Sequence, residues 1–142
     1  MPVITSDEMI RQVNERLAAG YELWKGYGLP ELTVQDLDVV PAHVATVYKD
    51  GAFALDYASA CQCFYLFRKL HTMVEAYSEQ ATLLGDYFFS QFSHYLIPID
   101  STELIAVFSE FLKEDVVRNR QEENTFSIER YLDFIKQGAK EI

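Results

Sequence analysis

Basic residues are scarce in this chain. Only 12 Lys and Arg stand against 22 Asp and Glu, for a formal charge of −10. Binding to a nucleic-acid backbone or to an anionic membrane surface needs clustered Lys and Arg, so neither is expected as a partner. Glycine and proline are few, and 49% of residues are hydrophobic and 14% aromatic, a composition that excludes a disordered chain. The amino terminus "MPVITSDEMIRQ" shows neither the basic nor the apolar region of a secretory signal, so a cytosolic location is expected. Cysteine is limited to Cys61 and Cys63, whose side chains on a helix point about 200° apart. They read as buried, reduced thiols, not as a disulfide or a zinc knuckle.

The 142 residues suit one domain, and their periodicity is helical throughout, with no convincing strand pair. Thr5 or Ser6 caps a first helix through about Ala19, with Met9, Ile10, Val13 and Leu17 on one face and Gly20 as its stop. "YELWKGYGLPEL" reads as an irregular connection. Helix resumes near Thr33, and Pro41 breaks or restarts it. Long helical segments follow from about Ala52 to Tyr77 and from Ser78 to Ile97, the second ended by Pro98. Ser101 or Thr102 opens a further helix, "RQEEN" is a charged loop, and Ser127 starts a last helix with Ile128, Tyr131, Leu132 and Ile135 on one face. The expected architecture is all-α, a single antiparallel helical domain over residues 1–142.

Two segments lack the polar face of a surface helix. Between Ala81 and Ile99 the only formal charge is Asp86, and between Ala52 and Phe67 it is Asp56. On a helical wheel Ala81, Leu84, Gly85, Phe88, Phe89, Phe92, Tyr95 and Leu96 fall in one arc of about 140°, with Leu83 and Tyr87 outside it. The remaining strip, Thr82, Asp86, Ser90 and Ser93, suits hydrogen bonding against a close neighbour. Helices apolar nearly all round must be covered nearly all round, so part of this surface is expected to meet another chain. Asp86, Gln91, His94 and the hydroxyl residues make insertion of 81–97 into a membrane costly.

"ATLLGDYFFSQFSHYL" resembles the Gly-Asp-aromatic helix of the isoprenyl diphosphate synthases, the all-α trans-prenyltransferases, in which a run of the type A-x-L-x-G-D-Y-L-F follows the first aspartate-rich motif. "TELIAVFSEFLKEDVV" is similar to the acidic helix that comes next in that family, and "ERYLDFIKQ" to its Y-L-x-x-I segment. The likeness runs from Ala54 to Gln137. The family's catalysis rests on two DDxxD clusters, whose carboxylates on successive helical turns bridge magnesium ions to an allylic diphosphate. Upstream of Gly85 this chain reads "CFYLFRKLHTMVEAY", and downstream it reads "KQGAKEI" and stops, so neither cluster is present.

A short chain without the aspartate motifs resembles the small subunits of the heterodimeric hexaprenyl and heptaprenyl diphosphate synthases of some bacteria, the hexaprenyl type most of all. The resemblance implies a regulatory subunit with no catalytic residue and no metal of its own, paired with a large catalytic prenyltransferase subunit. That subunit would hold magnesium and join farnesyl to isopentenyl diphosphate. This chain would help shape an apolar product channel at the interface and so help set product length.

Phe64, Phe67, Phe88 and Phe92 are candidates for the channel, because large rigid rings make good plugs. Phe64, Tyr65, Tyr87, Phe89 and Tyr95 are candidates for the partner interface. Gly85 and Asp86 are the family's structural motif, Gly85 expected at a close helix contact and Asp86 as a satisfied buried acceptor. Arg68 and Lys69 are expected in surface salt bridges, and His43, His71 and His94 lack a metal-binding spacing. Two readings without a prenyltransferase remain: a helical protein-interaction adaptor, and a carrier of a small hydrophobic ligand.

Overall fold

A computed structural model describes residues 4–48, 52–121 and 126–142. They form α1 (Ser6–Arg16), α2 (Ala18–Gly26), α3 (Val34–Val47), α4 (Ala54–His71), α5 (Ser78–Leu96), α6 (Thr102–Gln121), α7 (Ile128–Gly138) and a closing 3-10 turn, Ala139–Glu141. Among the described residues there is no strand. α1, α3, α6 and α7 start where small polar residues satisfy free N–H groups of the first turn, whereas α2, α4 and α5 start without a side-chain cap. The Thr5 hydroxyl accepts from the Glu8 N–H at 3.2 Å, Ser101 from Leu104 at 3.0 Å and Ser127 from Arg130 at 3.3 Å. Thr33 and Asp36 form a reciprocal capping box. Each such cap contributes on the order of 1 kcal/mol.

The N-terminal third departs from the expected pattern in two places. Gly20 does not stop a helix, and the chain instead breaks at Leu17 and resumes as α2 through Tyr21 and Trp24. Gly20 sits where α5 passes closest, and a Cβ there would lie 2.7 Å from Cε1 of Phe88. The glycine serves helix packing. The chain turns only at Gly28, which takes the left-handed φ of 71°. Pro41 lies inside α3 without ending it. A proline in a helix frees the carbonyl four residues back, and here the Leu37 carbonyl accepts instead from the Asn14 side-chain amide at 3.1 Å. The predicted loop at "RQEEN" begins later than expected, since Arg120 and Gln121 belong to α6, and residues 122–125 lie outside the described residues.

α4 is the axis of the fold. Phe64 meets Phe92 and Phe67 meets Phe89, so α5 runs antiparallel to it. Phe64 meets Phe108 while Arg68 meets Asp115, so α6 runs parallel. The Tyr57 hydroxyl donates to the Ile135 carbonyl and the Tyr131 hydroxyl to the Cys61 carbonyl, which sets α7 antiparallel. Tyr65 on Asp36 and Tyr48 on Tyr57 do the same for α3. With α1 also packed against it, α4 is enclosed on every side, and Ala58, Ser59, Ala60, Cys61, Gln62 and Cys63 are all fully buried.

Candidate functional site: the open face of α5

α5 has cover on one side only. Of the eight residues in the wheel's apolar arc, Ala81, Leu84, Gly85, Phe88, Phe92 and Leu96 are buried, chiefly against α4 and α2, while Phe89 and Tyr95 at its edges are exposed and half-buried. The opposite face carries Thr82, Leu83, Asp86, Phe89, Ser90, Ser93 and Ile97, all exposed. The hydroxyl strip expected to bond to a neighbouring helix therefore faces outward, because no described helix lies over it. Leu83 is 60% exposed and Ile97 70%, large values for side chains of this size.

Beside this face, between α5 and α6, lies an open groove of about 370 Å³. Phe64, Phe92 and Phe108 form its floor, mutually packed at ring-centroid distances of 4.8–5.3 Å. Phe89, Ile97 and Ile105 stand on its rim, 37%, 70% and 49% exposed. Only Ser93, Ser109 and Asp100 bring polar groups to its lining. The volume lies within the range of roughly 300–1,000 Å³ of clefts that bind small molecules. A second, smaller cleft of about 100 Å³ lies further along α5, lined by Phe67, His71, Val74, Ala81, Thr82, Gly85 and Asp86.

The predicted channel rings thus separate. Phe64 and Phe92 line the α5–α6 groove, and Phe67 lines the small cleft. Phe88 lies on the other side of α5, fully buried against Gly20 and Trp24. The interface candidates also divide. Phe89 is exposed and Tyr87 and Tyr95 are half-buried on α5, but Phe64 and Tyr65 belong to this chain's own core at 1% and 8% exposure. In this fold those two cannot touch a partner directly, because α3, α6 and α7 already cover their side of α4. Gly85 is a looser contact than expected, a Cβ there lying 3.8 Å from Phe67. Asp86 is not a buried acceptor. It is exposed, and among the described residues it makes no hydrogen bond or ion pair.

The buried charged groups, Asp36, Arg68 and Asp115, lie elsewhere, around the C-terminal half of α4. Arg68, expected at the surface, is 1% exposed and pairs with Asp115, 2% exposed, at 2.6 Å, while Arg130 approaches the other carboxylate oxygen at 3.6 Å. Arg68 also donates to Nδ1 of His71 at 2.6 Å. Burial, and then the Arg68 charge, hold His71 below its ordinary value. Lys69 pairs with Asp36 at 3.2 Å, and the Tyr65 hydroxyl donates to the same carboxylate at 2.7 Å. Burial alone would raise Asp36, but hydrogen bonds from the Thr33 backbone, Tyr65 and Lys69 outweigh it and hold the carboxyl below its usual value. Both cations are thus committed to internal carboxylates. Cys61 and Cys63 are free and buried, their thiols pushed far up by desolvation and so unreactive.

Among the described residues no group of His, Cys, Asp and Glu is placed to hold a metal ion, and no helix is long and apolar enough to cross a membrane. His43 bonds to the Leu132 carbonyl at 2.9 Å. No family model matches the chain, and no curated protein or solved structure does.

Proposed function

We propose that the chain is the non-catalytic, regulatory subunit of a heterodimeric trans-prenyltransferase, a transferase that builds a medium-chain polyprenyl diphosphate, hexaprenyl by preference. The observation that carries this reading is the open apolar groove between α5 and α6. A polyprenyl tail is a flexible hydrocarbon with no polar group to recognise, so a binding surface for it needs length, dryness and a stop, not hydrogen bonds. The groove offers an aromatic floor in Phe64, Phe92 and Phe108, but its exposed rim leaves it wet. A partner laid on α5 closes it. The catalytic subunit supplies magnesium, both diphosphate sites and all bond making; this chain supplies one wall of the product channel.

The adaptor and carrier readings are separated from this one by reconstitution. The chain alone should show no turnover of farnesyl and isopentenyl diphosphates. Mixed with an aspartate-motif prenyltransferase subunit from the same genome, it should co-elute on gel filtration and yield a defined medium-chain product. Phe92→Leu, which opens the groove floor at lower packing cost than alanine, should shift that product towards longer chains without changing the first condensation. Co-elution with an unchanged product would make the chain a scaffold. Turnover by the isolated chain, or no complex with such a subunit, would overturn the proposal.

A further inference from the structure

The smaller cleft and Asp86 do not belong to the groove. Asp86 is the only charged residue of α5 after Glu79 in the first turn, and it stands alone on an exposed face of Leu83, Phe89, Ile97 and small hydroxyl groups. The cations on neighbouring α4 are already engaged, Arg68 by Asp115 and Lys69 by Asp36. His71, in the same cleft, accepts its hydrogen bond from Arg68 at Nδ1. A partner that covers this face takes Asp86 out of water, and an uncompensated buried carboxylate is strongly unfavourable. Complementarity then fixes the chemistry of the covering surface.

We infer that Asp86 is the polar anchor of the α5 face, seating an arginine or lysine side chain of the catalytic subunit. This rests on the subunit reading above and specifies its interface. The cleft beside Asp86 has the form such a side chain needs. Its walls, Phe67, Val74, Ala81 and Gly85, are apolar and take the aliphatic stem, while Asp86 at the mouth takes the charged head. The absence of a side chain on Gly85 keeps the way to the Phe67 ring open, and an aromatic ring is itself a favourable surface for a cation. The partner's contact surface is accordingly apolar with one cation set within it.

The test is titration of the catalytic subunit with wild type, Asp86→Asn, Asp86→Lys and Glu79→Gln, at two or more salt concentrations. Glu79 is exposed on the first turn of the same helix and controls for the loss of one negative charge. Asp86→Asn should weaken binding about tenfold or more and flatten its salt dependence, and Asp86→Lys should weaken it further, while Glu79→Gln stays within about twofold. Because Asp86 is exposed and unpaired, thermal melting of the isolated variants should match wild type. If wild type binds and Asp86→Asn binds equally well, the anchor is wrong and the subunit reading stands. Equal weakening by Glu79→Gln and Asp86→Asn would reduce the effect to general charge attraction and also overturn it. If wild type forms no complex, both readings fail together.

Discussion

α4 and α5 read almost alike as sequence, two low-charge aromatic helices joined by a short connection, yet they end in opposite environments. α4 has neighbours on every side and buries nearly every residue from Ala54 to Leu66. α5 buries one stripe and leaves Leu83, Phe89 and Ile97 in water. The difference lies in the small residues. In "ASACQC" the Ala, Ser and Cys side chains let α1 and α3 approach α4 closely, and polar side chains of this stretch bond within the core, although Oε1 of Gln62 is buried without a partner among the described residues. Ser59 donates to the Leu55 carbonyl and Gln62 to the Asp36 carbonyl. In α5 the small residues Ala81 and Gly85 are buried against neighbours, but Thr82, Ser90 and Ser93 are exposed, and no described helix reaches them. A low-charge helix says that cover is needed; it does not say which chain provides it.

The sharpest way to break the comparison is to truncate one phenylalanine on each helix. Phe64 is 1% exposed, stacks on Tyr131 and packs at a tilt against Phe92 and Phe108. Phe64→Ala should cost about 3–5 kcal/mol of unfolding free energy, a large share of what a domain this size has. Phe89→Ala, at the groove rim where the ring is 37% exposed and packs on Phe67 and Phe92, should cost less, about 1–2 kcal/mol in the isolated chain. Urea unfolding of both variants checks this, and similar losses would mean that the two helices are equally part of the core.

A smaller effect concerns the polar belt that closes α4 against α3. Asp36 is held below the ordinary carboxylate value, so its contribution to stability is complete above its unfolded pKa, about 4, and is lost as pH falls through the lower folded value. Wild type should therefore lose stability steeply below about pH 4, whereas Asp36→Asn should be less stable at neutral pH with a flatter acid limb. Denaturant midpoints measured across that range would show it. Parallel acid limbs would assign the acid sensitivity to other carboxylates.

Much of the fold was legible because caps and periodicity are local. Thr5, Thr33 and Ser127 mark helix starts, and the buried stripe of α5 follows from its wheel. What misled were residues whose roles depend on distant neighbours. Gly20 looks like a stop until Phe88 is placed against it, and Pro41 looks like a break until Asn14 takes the carbonyl it frees. The burial of Arg68 could not be foreseen without its partner Asp115, 47 positions along the chain. For the site the same limit applied. Aromatic content announced a large apolar surface, but only the packing of α3, α6 and α7 against α4 shows that Phe64 and Tyr65 are core and that Phe89 is partly exposed at the groove rim.

The central claim is that the bare face of α5 is an interface, and one binding measurement tests it most directly. The affinity of the proposed catalytic subunit should be compared for wild type, Phe89→Asp and Val34→Asp, the last placing the same charge at a 73% exposed apolar position on α3. Phe89→Asp should weaken binding about a hundredfold or more, with far-UV circular dichroism unchanged, and Val34→Asp should bind like wild type. Equal affinities for all three chains would contradict the claim.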